Sequence, residues 1–95
     1  MEFEWDVKKE LININKHKLD FTLASQIFYD DNILIRYDDA HSYVEDRYIA
    51  IGRIGMTNTV ILVAYTVRAA NVIRVISARK ATGKEREVYF NGYCT

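Results

Sequence analysis

The stretch from Thr59 to Arg79 constrains the fold more than any other part of the chain. It holds two apolar runs rich in Val and Ile, TVILVAYTV (59–67) and NVIRVISAR (71–79), joined by only Arg68-Ala69-Ala70. β-Branched side chains crowd a helix and suit a pleated surface, so each run reads as a strand. A connection this short cannot cross over a sheet, which makes the pair antiparallel. Apolar residues at both alternating positions fit central strands covered on at least one face. The first run is far below the roughly 20 residues of a membrane helix, so no membrane partner is expected.

Period-two patterning begins earlier in the chain. Ile33, Ile35 and Tyr37 alternate with Leu34 and Arg36, the polar run DDAHS makes a turn, and a further strand runs from about Tyr43 to Ile54. Gly55-Met56-Thr57-Asn58 then turns the chain into the long pair, giving a meander of four antiparallel strands. Two helices precede it. Asp6 caps one running to about His17, with Val7, Leu11 and Ile14 at i, i+4 and i+7 as its apolar face and lysines on the other. Asp20 caps a second, with Phe21, Ala24, Ile27 and Phe28 as its stripe, and Asp30-Asp31-Asn32 ends it. Thr82-Gly83-Lys84-Glu85 is a capping box that opens a terminal helix carrying Val88 and Tyr89 toward the sheet, with Gly92 weakening its last turn. The predicted class is α+β: two N-terminal helices, a four-stranded antiparallel sheet and a C-terminal helix.

A chain of 95 residues, 49% of them apolar, supports one core, so residues 1–95 are expected to form a single domain. The N-terminal MEFEWDVKKE lacks the basic start and apolar stretch of a signal peptide, which predicts a cytoplasmic protein. Cys94 has no internal partner for a disulfide, and one cysteine with two histidines makes no zinc site. No metal and no cofactor are expected.

The 13 basic and 13 acidic side chains cancel overall but not locally. Residues 1–46 hold five basic and eleven acidic side chains, a net of −6, and residues 47–95 hold eight basic and two acidic, a net of +6. Such asymmetry points to a polyanionic partner or to halves that neutralise each other across the fold. The strand-like run before Ala81 carries Arg74, Arg79 and Lys80. A guanidinium in an interior strand needs an ion pair or a polar cleft. Arg74 therefore either pairs with an N-terminal carboxylate such as Asp6 or Asp20, or holds a phosphate, for which Arg is a planar, permanently charged, two-pronged donor. Strict alternation places Arg74 and Arg79 on opposite faces unless a bulge intervenes.

Several motifs resemble those of the BrnT family of bacterial toxins. They are FEWD at 3–6, Lys16-His17 followed by Asp20-Phe21, DDAHSYVEDRYIAIGRIG at 38–55, Tyr65-Thr66 ending an apolar strand, IRVISARKAT at 73–82, and Glu85-Arg86-Glu87 with Tyr89. The resemblance covers nearly the whole chain. It implies a RelE-like fold and a ribonuclease that arrests growth by cutting RNA. It also implies a BrnA-type antitoxin partner, encoded alongside, through which operator DNA is engaged indirectly.

On that reading RNA is cut without metal, by holding a 2′-hydroxyl in line with the adjacent phosphorus. Arg47, on the second strand, Arg74 and Arg79 are then the phosphate and transition-state ligands. Thr66, Ser77 and Tyr89 orient the scissile nucleotide, and Tyr89 also offers a ring for a base. His41, in the DDAHS connection, and His17, at the end of the first helix, are the neutral-pH acid–base candidates. His17 reads first as a helix-terminal cap or packing residue, and Lys16 and Lys80 are solvated cations with Lys80 near substrate. The competing reading is an interaction module without catalysis, in which the basic half binds an acidic segment of the antitoxin and the chain acts as a corepressor. A direct DNA binder is disfavoured, because the terminal helix balances Lys84 and Arg86 with Glu85 and Glu87.

Overall fold

Polar residues that close the chain's turns set the element boundaries in the computed structural model, which describes residues 1–92. Strand β1 (Glu2–Trp5) leads into helix α1 (Val7–His17), whose first turn is capped by the Asp6 carboxylate accepting from Lys8 N–H at 2.8 Å. Asp20 caps the short helix α2 (Phe21–Ala24), which tightens into a 3₁₀ segment over Ser25–Tyr29. Strand β2 (Leu34–Tyr37), a 3₁₀ turn (Asp39–His41), β3 (Tyr48–Arg53), β4 (Val60–Arg68) and β5 (Val72–Lys80) follow. Helix α3 (Gly83–Asn91) starts at the Thr82–Glu85 capping box, with both reciprocal hydrogen bonds present.

The five strands form one sheet in the order β1-β5-β4-β3-β2. The antiparallel meander is present, and a fifth strand corrects the predicted four. Glu2-Phe3-Glu4-Trp5 alternates polar with aromatic, and pairs in parallel with Val72–Val75 of β5. The sheet is therefore mixed. The second strand starts at Tyr48, not Tyr43, because Ser42 and Asp38 tie the preceding residues into a closed loop: Arg47 N–H donates to Ser42 Oγ, and Arg47 C=O accepts from Asp38 N–H. That leaves Arg47 just outside β3. Gly92 caps α3 instead of lying within it; Cys94 and the rest of the expected last turn fall outside the described residues.

One face of the sheet builds the core. Phe21, Ala24 and Ile27 from α2 and the 3₁₀ segment pack on Ala50, Ile61, Val63, Tyr65, Val75 and Ala78. Trp5 meets Phe21 edge-on, and Phe28 meets Tyr65 in the same way. Helix α1 departs from its predicted orientation. Only Asn13 is buried, while Val7, Leu11 and Ile14 lie at the surface. The reason is the edge of β5. Once β1 ends, α1 takes its place beside β5, and the Asn13 amide bridges the gap, accepting from Ala78 N–H and donating to Leu19 C=O, each at 2.9 Å. Glu10 holds the same side of the helix by accepting from Trp5 Nε1 and Phe21 N–H. Polar anchoring to backbone groups that would otherwise be unpaired outweighs burial of the apolar stripe. Among the described residues no helix is long and apolar enough to cross a membrane.

Candidate functional site

The second face of the sheet, opposite the core, carries the cations, and a bulge decides which ones. Across the β4–β5 ladder Ala64 faces Ser77 and Tyr65 faces Val75, so Ile76 has no opposite number. The extra residue reverses the alternation. Val75 and Ala78, three apart, both point into the core, and Arg74, Ser77 and Arg79 consequently share the second face. The two arginines separated by strict alternation are brought to one side.

Register arranges this face in rows, with neighbouring strands about 4.8 Å apart. Thr66, Arg74 and Glu4 stand side by side on β4, β5 and β1. The next row runs Arg36, Ile49, Ala64, Ser77, and the one below it Leu34, Ile51, Leu62, Arg79. Helix α3 lies over the lower rows, where Lys84, Glu85 and Val88 close a mainly apolar groove of about 390 Å³ against Leu34, Ile51 and Leu62.

Each of the two strand arginines is held by an acid. Arg74 donates to Glu4 Oε2 at 2.9 Å, with Arg68 at 3.6 Å from the same oxygen. The partner expected among Asp6 and Asp20 is Glu4, which the parallel pairing sets directly beside Arg74. Arg79 grips Glu85 with two parallel bonds of 2.8 and 2.9 Å, and the same carboxylate closes the α3 capping box. The hydrogen bonds from Arg79 outweigh partial burial and hold the Glu85 carboxyl down at about 2. Because this lies below the ordinary value of 4.5, the ion pair adds stability above about pH 4.5 and loses it as the pH falls toward 2. With both side chains partly open to solvent, we expect Glu85→Gln to cost about 1–2 kcal/mol at pH 7. In urea denaturation the gap between variant and wild type should narrow steadily from pH 5 to pH 2.5; a gap independent of pH would refute the assignment.

The other candidates fall into three places. Arg47 ends the row of Thr66 and Arg74 by backbone connection, since Tyr48 pairs with Tyr65, and its guanidinium has no partner among the described residues. Thr66 is 2% exposed, and its hydroxyl finds no hydrogen-bond partner among the described residues. His41 lies in the loop that Ser42 ties to Arg47, its Nδ1 2.9 Å from Asp38 Oδ2. The imidazole is well exposed while Asp38 is nearly buried, so a carboxylate fixes the ring with Nε2 turned outward. His17 and Ser77 meet in a smaller cleft with Lys16, Asn13 and Ile76, where α1 runs along the β5 edge.

Lys80 and Tyr89 lie apart. Lys80 borders a hollow with Asn58, Thr59 and Arg86 where β4 starts and β5 ends. Tyr89 is 6% exposed, and its hydroxyl donates to Asp30 Oδ2 at 2.5 Å, so neither ring nor hydroxyl is presented for a base. Burial, reinforced by the Asp30 carboxylate, pushes the Tyr89 hydroxyl up to about 12. Its work in this structure is to latch α3 to the Asp30–Arg53 corner, where Asp30 also accepts from Arg53 N–H. Asp38, Glu4 and Glu85 escape a search for cations and nucleophiles, although the i, i+3 spacing of Asp38 and His41 is a usable signal for a supported histidine. Among the described residues no group of three or more His, Cys, Asp or Glu side chains is placed to hold a metal ion.

Comparison with known proteins gives a consistent pattern. Residues 5–85 match the family model described as the ribonuclease toxin, BrnT, of type II toxin-antitoxin systems. The crystal structure of the Brucella abortus ribonuclease toxin BrnT is similar, with a TM-score of 0.69 and 28% identity over 86% of this chain and 97% of that one. None of the curated proteins compared with the chain matches it.

Proposed function

Since the chain belongs to the BrnT family of ribonuclease toxins of type II toxin-antitoxin systems, we propose that it is an endoribonuclease that inhibits translation by cutting RNA without a metal, and that a BrnA-type antitoxin silences it. The observation that carries this reading is the bulge at Ile76, which gathers Arg74, Ser77 and Arg79 on the face that also holds Thr66. Single-stranded RNA supplies its own nucleophile. When the 2′-oxygen attacks the adjacent phosphorus, the 5′-oxygen of the next nucleotide leaves, giving a 2′,3′-cyclic phosphate and a 5′-hydroxyl end.

The residues suit these steps. His41 Nε2, with Nδ1 held by Asp38, accepts the 2′-hydroxyl proton. The leaving oxygen takes a proton from water. Arg47 and Arg74 bind the non-bridging oxygens as negative charge builds on them, and Arg79 extends that surface once Glu85 yields it. Permanently charged donors supply the electrostatic stabilisation that a metal supplies in other nucleases. Ser77 offers a hydroxyl for the ribose, with His17 and Lys80 further along the strand of RNA, while Thr66, its hydroxyl buried, backs Arg74 from β4.

The test is incubation of purified protein with a 5′-labelled single-stranded RNA in EDTA, with and without ribosomes. Fragments ending in cyclic phosphate are the expected result. A folded protein that leaves the RNA intact under both conditions would favour a second reading, that of an antitoxin-binding corepressor without catalysis. Arg74 and Arg79 are already neutralised by Glu4 and Glu85, which is the feature that favours it.

A further inference from the structure

Helix α1 leaves its apolar stripe uncovered. The side it turns to the protein is polar, with Glu10 and Asn13 bonded to backbone and indole groups. Val7 and Leu11, at 64% and 61% exposed, and Ile14, at 37%, form a surface stripe, and Ile12 stands exposed on another side of the helix. At 100° per residue the stripe spans about 60° of the helix, and Asn13 sits about 130° away from its centre. An ordered i, i+4, i+7 stripe of large aliphatic residues on the surface is what a helix shows when its apolar face is meant for another chain.

The charges around the stripe say what kind of chain. Lys8 lies about 90° round from the centre of the stripe, Lys18 follows at the C-terminal cap of the helix, Lys9 and Lys16 lie on the far side, and the single acid of the helix, Glu10, is committed inward. A second copy packed through the same stripe would set lysines against lysines, an arrangement that interfaces avoid. We infer that α1 is the docking surface for an amphipathic helix of the antitoxin whose apolar stripe covers Val7, Leu11 and Ile14 and whose flanks carry Asp and Glu. The occupant is an acidic helix in the helix-on-groove manner, with charge setting its register. The inference rests on the toxin–antitoxin reading, and adds to it a surface at the sheet edge, separate from the arginine face.

The experiment uses the full chain and the purified antitoxin encoded beside its gene, with binding followed by calorimetry. Leu11→Ser combined with Ile14→Ser is expected to weaken binding at least about tenfold, an energetic loss of about 1.4 kcal/mol, with the circular-dichroism spectrum of the folded chain and its RNA cleavage unchanged. Lys8→Glu combined with Lys18→Glu should also weaken it and flatten its dependence on salt. Equal binding by wild type and the serine variant overturns the inference alone. So does a chain that is dimeric by light scattering and becomes monomeric in that variant, which would make the occupant a second copy. An antitoxin that fails to bind even the wild-type chain overturns the toxin–antitoxin reading and this surface with it.

Discussion

Arg74→Ala is expected to lower the rate of RNA cleavage by about 10²–10³-fold, the loss seen when one preorganised donor to a developing oxyanion is removed. The reasoning starts from its place in the sheet. Arg74 is half-buried on the bulged strand, flanked by Thr66 on β4 and by Glu4 on β1. A side chain anchored on a strand and steadied by a carboxylate at 2.9 Å loses little freedom when phosphate arrives, so its charge acts without reorganisation. The same carboxylate is a competitor for that charge. Glu4→Gln should therefore raise kcat/KM by several-fold while Arg74→Lys, which keeps the charge but not the planar fork, stays close to alanine. The fold should survive all three changes, since the Arg74–Glu4 pair is partly solvated. Circular dichroism alongside single-turnover cleavage checks the set. A folded Arg74→Ala variant that cuts at the wild-type rate would remove Arg74 from the site.

Gly52→Ala is expected to destabilise the protein by about 1–3 kcal/mol, and Gly52→Val by more. A Cβ at position 52 would stand 2.8 Å from Ile27 Cβ and 3.4 Å from both Ile27 C=O and Asp30 Oδ2. Ile27 is fully buried and cannot swing aside. The absence of a side chain lets the 3₁₀ segment lie directly on β3, and this contact brings Asp30 to Arg53 N–H and to the Tyr89 hydroxyl. Pushing the segment away strains the latch on α3 as well as the core. In a domain of this size each kcal/mol moves the melting temperature by roughly 4–8 °C, so Gly52→Ala should lower Tm by on the order of 5–20 °C in a calorimetric scan. A shift within a degree of wild type would mean that the segment and strand part easily, and that the close approach has no energetic weight.

Local signals were legible in the chain because they depend on residues a few positions apart. Asp6, Asp20 and Thr82 with Glu85 cap the helices they were expected to cap, and the two β-branched runs are the paired strands β4 and β5. The concentration of arginines after residue 46 was equally plain. The family follows from the order and spacing of motifs along nearly the whole chain, which the matching family model reflects.

Tertiary structure decided what depends on partners far away in the chain. EFEW alternates visibly, yet four residues become a strand only because β5, about 70 positions on, leaves an edge for them, and that pairing is what hands Arg74 to Glu4. The unpaired Ile76 sets which side chains share a face, since one extra residue reverses a period of two. The stripe of α1 stays at the surface because unpaired backbone at the β5 edge was better satisfied by Asn13 than by any apolar contact. Tyr89 is withdrawn from the surface by a carboxylate 59 positions earlier. Sequence patterning determined the elements and the chemistry available to them; the sheet's edges and its bulge decided which residues meet.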